Sequence, residues 1–320
     1  MADRKLVEQL DEAIESILAG TELAPSGELA PLMEIAAGLR DLPSEDFKNR
    51  LNTELQRRAT MTTSMAGAAG VRAGFRTITP FLIHSQAPEL VEFLKTTFGA
   101  AELKRNTTEE AYGFYSEVRL GDSVIMVGGG TAAERGNLPG AFHVYVDDCD
   151  VAYRRALDGG AVTLMGARGE PTDQSYGERS ASVQDAFGNY WYIATRFAST
   201  PAPQGTVMPY LHPRGARRYI DFLKRAFGAE EMAAYEHAGR VMHAAVRVSD
   251  AVLEMGEAYQ TGIPSNGLFL LVEDVEAAYE RALAAGATSV RPPEDIPYGS
   301  RSAIVMDPEG YLWWTAHWIK

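Results

Sequence analysis

A single cysteine, Cys149, stands in a chain of 320 residues, so no internal disulfide can staple the fold. Asp148 and Asp150 flank it and would raise its thiol pKa, which argues against a nucleophilic role. Basic residues number 30 against 43 acidic ones, for a net charge of −13, and a phosphate backbone would call for the opposite balance. The nearest approach to a basic stripe, Arg214, Arg217, Arg218, Lys224 and Arg225, reads as a solvated helix face. No apolar run nears the ~20 residues needed to cross a bilayer. The opening residues, Met1-Ala-Asp-Arg-Lys5, are unlike a signal peptide. The expectation is a cytoplasmic protein without nucleic-acid or membrane partners. Also missing are a zinc signature, a nucleophile elbow and a phosphate loop: Gly128-Gly129-Gly130 is followed by no Lys-Ser/Thr pair. What is present is ordinary for a globular chain, with 46% hydrophobic and 23% charged residues, and the length suits two or three domains.

The chain repeats itself. Phe93-Leu-Lys-Thr-Thr-Phe-Gly-Ala-Ala-Glu102 returns as Phe222-Leu-Lys-Arg-Ala-Phe-Gly-Ala-Glu-Glu231. Pro171-Thr-Asp-Gln-Ser-Tyr-Gly-Glu-Arg-Ser-Ala181 returns as Pro293-Glu-Asp-Ile-Pro-Tyr-Gly-Ser-Arg-Ser-Ala303, and Asp185-Ala-Phe-Gly-Asn-Tyr-Trp191 as Asp307-Pro-Glu-Gly-Tyr-Leu-Trp313. The offset drifts from 129 to 122 residues, too long for a solenoid repeat and suited to a duplicated domain. The boundaries expected are a helical segment at 1–59, a linker at 60–74, a first module at 75–198, a linker at 199–204 and a second module at 205–320.

Each module has a finer rhythm. Residues 76–84 read as a strand, and Ala87 to Phe98 as a helix with Leu90, Val91, Leu94 and Phe98 on one face, stopped by Gly99. Residues 112–119 and 122–128 read as further strands. The pattern then restarts with a strand at Phe142–Val146, a helix from Asp150 to Leu157, and strands at 161–165, 178–184 and 190–195. One short helix per three or four strands makes the fold α+β.

These motifs resemble the vicinal oxygen chelate superfamily, also called the glyoxalase/bleomycin-resistance/dioxygenase fold, in its PhnB-like branch. The likeness covers residues 75–320. It rests on Thr79-Pro-Phe-Leu with Phe93-Leu and Phe98-Gly-Ala, on Val144-Tyr-Val-Asp-Asp-Cys-Asp-Val-Ala-Tyr153, and on Tyr176-Gly-Glu-Arg with Asp185-Ala-Phe-Gly-Asn-Tyr-Trp191. The resemblance implies tandem modules of paired βαβββ units, each module's eight strands forming a cupped sheet around a cavity. It also implies that metal-dependent members take one His, Gln or Glu ligand from the first and fourth strands of each unit. Those positions fall at Thr79, Met126, Ala141 and Tyr192 in the first module, and at Met208, Glu254, Gly267 and Trp314 in the second. Only Glu254 is a good ligand, so no cofactor is expected, with a divalent metal in another geometry left open.

Strand alternation turns Phe81, Ile83, Val124, His143, Tyr145, Tyr190 and Tyr192 toward the first cavity. It turns Tyr210, His212, Val252, Phe269, Leu271, Leu312 and Trp314 toward the second. Glu254, mid-strand among apolar neighbours, is the candidate catalytic base, with a pKa raised by desolvation and His212 beside it. His143, Tyr145, Tyr190, Tyr192, Tyr210, Phe269 and Trp314 are candidate substrate contacts. Arg179 and Arg301 either anchor a ligand oxygen or form salt bridges to Asp173 and Asp295. The expectation is a more polar second module and a chemically quiet first one.

Before the modules, Leu6, Leu10, Ile14 and Leu18, then Leu32, Ile35 and Leu39, then Phe47, Leu51 and Leu55, fall at helical spacing. Such stripes bury themselves on the modules, on a second copy or on a protein partner. The reading is a pseudo-dimer of two modules that binds a small organic molecule. One form is a metal-independent lyase or isomerase acting on a carbonyl compound. The alternatives are a self-resistance protein that sequesters an aromatic natural product, and a metal-dependent glyoxalase or dioxygenase with an atypical site.

Overall fold

The computed structural model describes residues 74–107, 113–130, 136–164, 169–198, 204–258, 265–297 and 299–318. The helices expected over 1–59, the linker at 60–73 and most of that at 199–204 lie outside the described residues. The rest is four βαβββ units in succession. The first comprises β1 (Ile78–Ile83), α1 (Ala87–Phe98), β2 (Ala101–Asn106), β3 (Phe114–Leu120) and β4 (Ser123–Gly129). The second comprises β5 (Ala141–Tyr145), α2 (Cys149–Asp158), β6 (Val162–Thr163), β7 (Thr172–Gln174), β8 (Glu178–Gln184) and β9 (Tyr190–Arg196). The third comprises β10 (Val207–Leu211), α3 (Ala216–Phe227), β11 (Glu230–His237), β12 (Arg240–Val248) and β13 (Ala251–Met255). The fourth comprises β14 (Gly267–Leu271), α4 (Val275–Ala285), β15 (Thr288–Ile296), β16 (Ser300–Met306) and β17 (Leu312–Trp318).

Local chemistry explains the helix ends. Asp148 and Asp274 cap α2 and α4 by accepting from the backbone N–H of Val151 and Ala277, each at 2.9 Å. Gly99 and Gly228 close α1 and α3 in the left-handed conformation, at φ 69° and 64°, where a side chain would be strained. In each module a buried aspartate organises the last turn before the final strand. Asp185 accepts from the Trp191 indole at 2.8 Å and from two backbone N–H groups, and Asp307 does the same for Trp313. Both tryptophans are fully buried.

The sheets overturn one expectation. No module closes a sheet on itself. The eight-stranded sheet runs β15-β16-β17-β14-β1-β4-β3-β2, joining the first half of module one to the second half of module two. The nine-stranded sheet runs β11-β12-β13-β10-β5-β9-β8-β6, with β7 also paired to β8, and joins the remaining halves. The joints are two antiparallel pairings, β1 with β14 and β10 with β5. At the first, a Cβ on Gly267 would stand 2.4 Å from the Phe81 carbonyl oxygen, so only glycine permits the approach. Matched clamps brace the exchange. Asp122 accepts from the Thr206 N–H at 2.7 Å, and Asp250 from the Thr77 N–H at 2.8 Å. Asn266, fully buried, exchanges two hydrogen bonds with the backbone of Ala141.

The hydrophobic cores, by contrast, stay largely within modules. One gathers α1, α2 and the strand faces behind them, around Phe142 and Trp191. The other gathers α3, α4 and their strands, around Phe227 and Trp313. Each module is therefore two βαβββ halves packed helix side to helix side. The opposite strand faces, free of helices, are completed only by the other module.

Candidate functional site

On the helix-free face of the nine-stranded sheet, register brings polar residues of both modules together. His143 on β5 lies opposite Met208 on β10 and Tyr192 on β9. Tyr210 on β10 lies opposite Glu254 on β13, and Ala245 on β12 flanks Glu254 on its other side. The His143 Nδ1 is 2.7 Å from a Glu254 carboxylate oxygen. Its Nε2 is 3.7 Å from Glu178 on β8, and His243 on β12 stands 3.9 Å from the other Glu254 oxygen. Glu254, His143 and Glu178 are all buried.

The carboxylate of Glu254 behaves opposite to the expectation from its own strand. Burial alone would raise its pKa. His143, 2.7 Å away, and then His243 override that effect and hold Glu254 well below the usual carboxylate range. It stays ionised and is a poor base. The reason lay out of view in the sequence, because its partner comes from the other module.

Tyr145, next along β5, stacks against His143 with ring centres 4.5 Å apart and donates toward Glu178 at 3.5 Å. Arg196 at the end of β9 donates to the Tyr145 hydroxyl at 3.0 Å. Burial, then the charges of Glu254 and Glu178, raise the Tyr145 pKa despite Arg196, so its proton stays on. On the other flank, the Tyr192 hydroxyl is 2.8 Å from His212 Nε2, and Tyr210 packs 4.8 Å from the Tyr192 ring. Burial pushes the His212 pKa down to about 4, so this imidazole is neutral at pH 7. It can then accept the tyrosine proton at Nε2, and its Nδ1 is buried without a partner.

The candidate residues thus sort by sheet and not by module. Glu254, His212, His143, Tyr145, Tyr190, Tyr192 and Tyr210 share the nine-stranded face. Phe269 and Trp314 belong to the eight-stranded one, where Phe269 lies opposite both Thr79 and Trp314. Arg179 and Arg301 join neither group. Each sits at the opposite parity, on the helix side, paired with Asp150 and Asp173 or with Glu276 and Asp295. A cavity of about 280 Å³ beside the start of α4 is lined by Phe227, Val248, Leu270, Asp274 and Arg281, and none of the candidate residues lines it.

The geometry has relatives. Residues 214–315 match the model of the Glyoxalase/Bleomycin resistance protein/Dioxygenase superfamily. An uncharacterized protein of Mycobacterium bovis is 36% identical over 118 residues, covering 33% of this chain and 78% of that protein. The chain belongs to this glyoxalase superfamily. Glyoxalase I from Zea mays has a similar fold, at TM-score 0.59 and 17% identity over 77% of this chain and 92% of that one. So has a putative dioxygenase from Bacillus subtilis, at TM-score 0.51 and 14% identity over 78% of this chain and 86% of that one.

Members of the glyoxalase superfamily often bind metals, and the residues here do not fit that centre. After the exchange of halves, the inherited positions regroup as Ala141, Tyr192, Met208 and Glu254 on one sheet and Thr79, Met126, Gly267 and Trp314 on the other. Glu254 is the single good donor, and its carboxylate is committed to His143. A carboxylate oxygen that already accepts from an imidazole N–H is engaged, and no other inherited position on either sheet offers a second good donor. Among the described residues, no three His, Cys, Asp or Glu side chains are grouped to hold a metal ion.

Sequence reasoning missed Glu178, Arg196 and His243. The signal for the first two was available: Glu178 shares its face with Ser182, which lies opposite Tyr192, and Arg196 shares the Tyr192 face. The repeated Tyr-Gly-x-Arg-Ser-Ala motif marks instead Arg179, one residue away and on the other side.

Proposed function

We propose that the nine-stranded face is the acid–base site of a metal-independent lyase- or isomerase-type enzyme acting on a carbonyl-containing organic compound. His143, and not Glu254, is the group that moves the proton. The observation that carries this is the 2.7 Å contact between His143 Nδ1 and Glu254. An ionised carboxylate only accepts, so Nδ1 keeps its hydrogen and Nε2 is the nitrogen left to take a proton. Nε2 removes the proton from carbon next to a carbonyl, and Glu254 and Glu178 stabilise the imidazolium that results. The oxygen of the developing enolate meets the Tyr145 hydroxyl, itself supported by Arg196. Return of the proton to a neighbouring carbon gives an isomerase. Loss of a β-substituent gives a lyase.

The test is deuterium incorporation, followed by proton NMR, in a panel of α-hydroxy ketones and 1,3-diketones in D₂O. Wild-type protein should catalyse exchange in at least one compound, with a loss of about 10²–10⁴-fold in His143→Gln. Exchange that persists undiminished in His143→Gln sinks the assignment. The second reading, a protein that binds and sequesters an aromatic compound, is favoured by the ring pair Tyr192–Tyr210 and by Tyr145. It predicts ligand binding with no exchange in any member of the panel.

A further inference from the structure

The cavity beside the start of α4 carries a charge that the fold does not use. Arg281 stands two turns along α4 from its cap Asp274, and Asp274, Ala277, Ala278 and Arg281 share one face of the helix toward the cavity. Helical side chains lean toward the N-terminus, so the Arg281 guanidinium reaches back along that face. Its Nε is buried without a hydrogen-bond partner, and no acid among the described residues pairs with it. A guanidinium so placed loses water without gaining an acceptor, and a carboxylate would restore what is lost through two parallel hydrogen bonds.

The rest of the lining narrows the occupant. Phe227, Val248 and Leu270 are all buried and belong to the core of the second module, so the body of the ligand is apolar. Glu273 and Asp274 stand exposed at the rim; Asp274 accepts from the Ala277 N–H, and Glu273 has no partner among the described residues. These two carboxylates repel a simple fatty anion, whereas a molecule that carries an ammonium beside its carboxylate satisfies both signs. The volume of about 280 Å³ falls just below the ~300–1,000 Å³ of ordinary ligand pockets, which suits a compound of amino-acid size.

The duplication supplies a comparison. In the first module the larger Val151 stands at the place of Ala277 and the larger Leu120 at that of Val248. Arg155, at the place of Arg281, is exposed. The second copy has trimmed two positions around an arginine that it draws inward.

We propose that this cavity is a binding site for a free α-amino acid with an apolar side chain. Arg281 takes the carboxylate, Glu273 and Asp274 take the ammonium, and Phe227, Val248 and Leu270 take the side chain. The site goes beyond the acid–base reading and is independent of it, because its strand residues belong to the helix-side core and none lies on the His143 face.

The test titrates the full-length protein by isothermal calorimetry with L-leucine, with 4-methylpentanoate, which lacks the ammonium, and with 3-methylbutylammonium, which lacks the carboxylate. L-Leucine should bind about tenfold or more tighter than either truncated probe. Arg281→Gln should weaken L-leucine by about tenfold or more. Ala277→Val copies the first module and keeps every charge, and it should weaken L-leucine as well. His143→Gln should bind L-leucine as the wild type does. No binding of L-leucine, equal binding of the three probes, wild-type affinity in either Arg281→Gln or Ala277→Val, or loss of binding in His143→Gln overturns the proposal.

Discussion

His143 and Glu254 are 111 residues apart in the chain and 2.7 Å apart in space, and each comes from a different module. The contact exists because the duplicated modules exchange halves across β10 and β5. It joins a buried carboxylate to a buried imidazole, so removing either partner leaves the other without its short hydrogen bond. Breaking such a pair from one side costs about 3–5 kcal/mol, whereas replacing both partners by apolar groups is often neutral. The eight-stranded sheet supplies the natural apolar version, Met126 and Phe269. We therefore expect His143→Phe to destabilise by about 3 kcal/mol or more, and the double variant His143→Phe/Glu254→Met to recover most of that loss. Urea unfolding of the two single variants and the double variant measures it. Additive losses would mean the contact contributes no coupling.

The exchange of halves also predicts how a single module behaves. Residues 75–198 carry nearly all of a helix-sided core, only Val207 coming from the other module, but β1 and β5 lose their partners β14 and β10. Exposed strand edges of this kind pair with another chain. The fragment should therefore form a symmetric homodimer in which β1 of one copy takes β5 of the other. Sedimentation of the isolated fragment gives the answer, and a folded, stable monomer would contradict it.

The individual elements were legible because local chemistry makes them. Ala87–Phe98 has its apolar face and its terminal Gly99, and residues 178–184 alternate as a strand should. β2 was missed because Ala101–Asn106 is a charged edge strand, exposed along most of its length, with no apolar alternation to read. Sheet membership was illegible for a different reason. Each unit presents the same pairing edge as its duplicate, and nothing in a strand's own residues says which copy it joins. Hence the inward faces of Tyr192, Tyr210 and Trp314 were readable, while the grouping of Glu254 with His143 was not.

The repeated aspartates that precede the last strand of each module are structural, and their loss should be costly. Asp307 accepts from the backbone N–H of Glu309 and Tyr311, the Trp313 indole and the Tyr219 hydroxyl. Removing the acceptor leaves buried donors unsatisfied, at about 1–3 kcal/mol each for those that water cannot reach. Asp307→Ala should lower stability by several kcal/mol. In the first module Asp185→Ala should do the same, because Asp185 serves Trp191 and Asn189. A thermal midpoint within a few degrees of wild type would show that solvent takes over the role.

Two buried groups pull stability in opposite directions between pH 4 and 6.5. Burial lowers the His212 pKa from 6.5 to about 4, so the folded state resists a proton that the unfolded chain accepts. Stability from this group is complete above pH 6.5 and is lost as pH falls toward 4. Burial raises the Asp307 pKa from 3.8 to about 6, its hydrogen bonds opposing, so the folded state holds a proton that the unfolded chain releases. Its contribution runs the other way, improving stability as pH falls from 6 toward 3.8. At about 1.4 kcal/mol per pKa unit, each effect amounts to about 3 kcal/mol across the window, so the two nearly cancel. Wild-type stability should be shallow in pH here. His212→Gln should grow relatively more stable on acidification from pH 6 to 4, and Asp307→Asn should lose stability over pH 6.5 to 4. Glu254 adds to the loss only below its ordinary value of 4.5, because its folded pKa is depressed. Urea midpoints at pH 4.5, 5.5 and 6.5 for the three proteins decide the matter, and parallel pH profiles would show that neither group titrates in the folded state as argued.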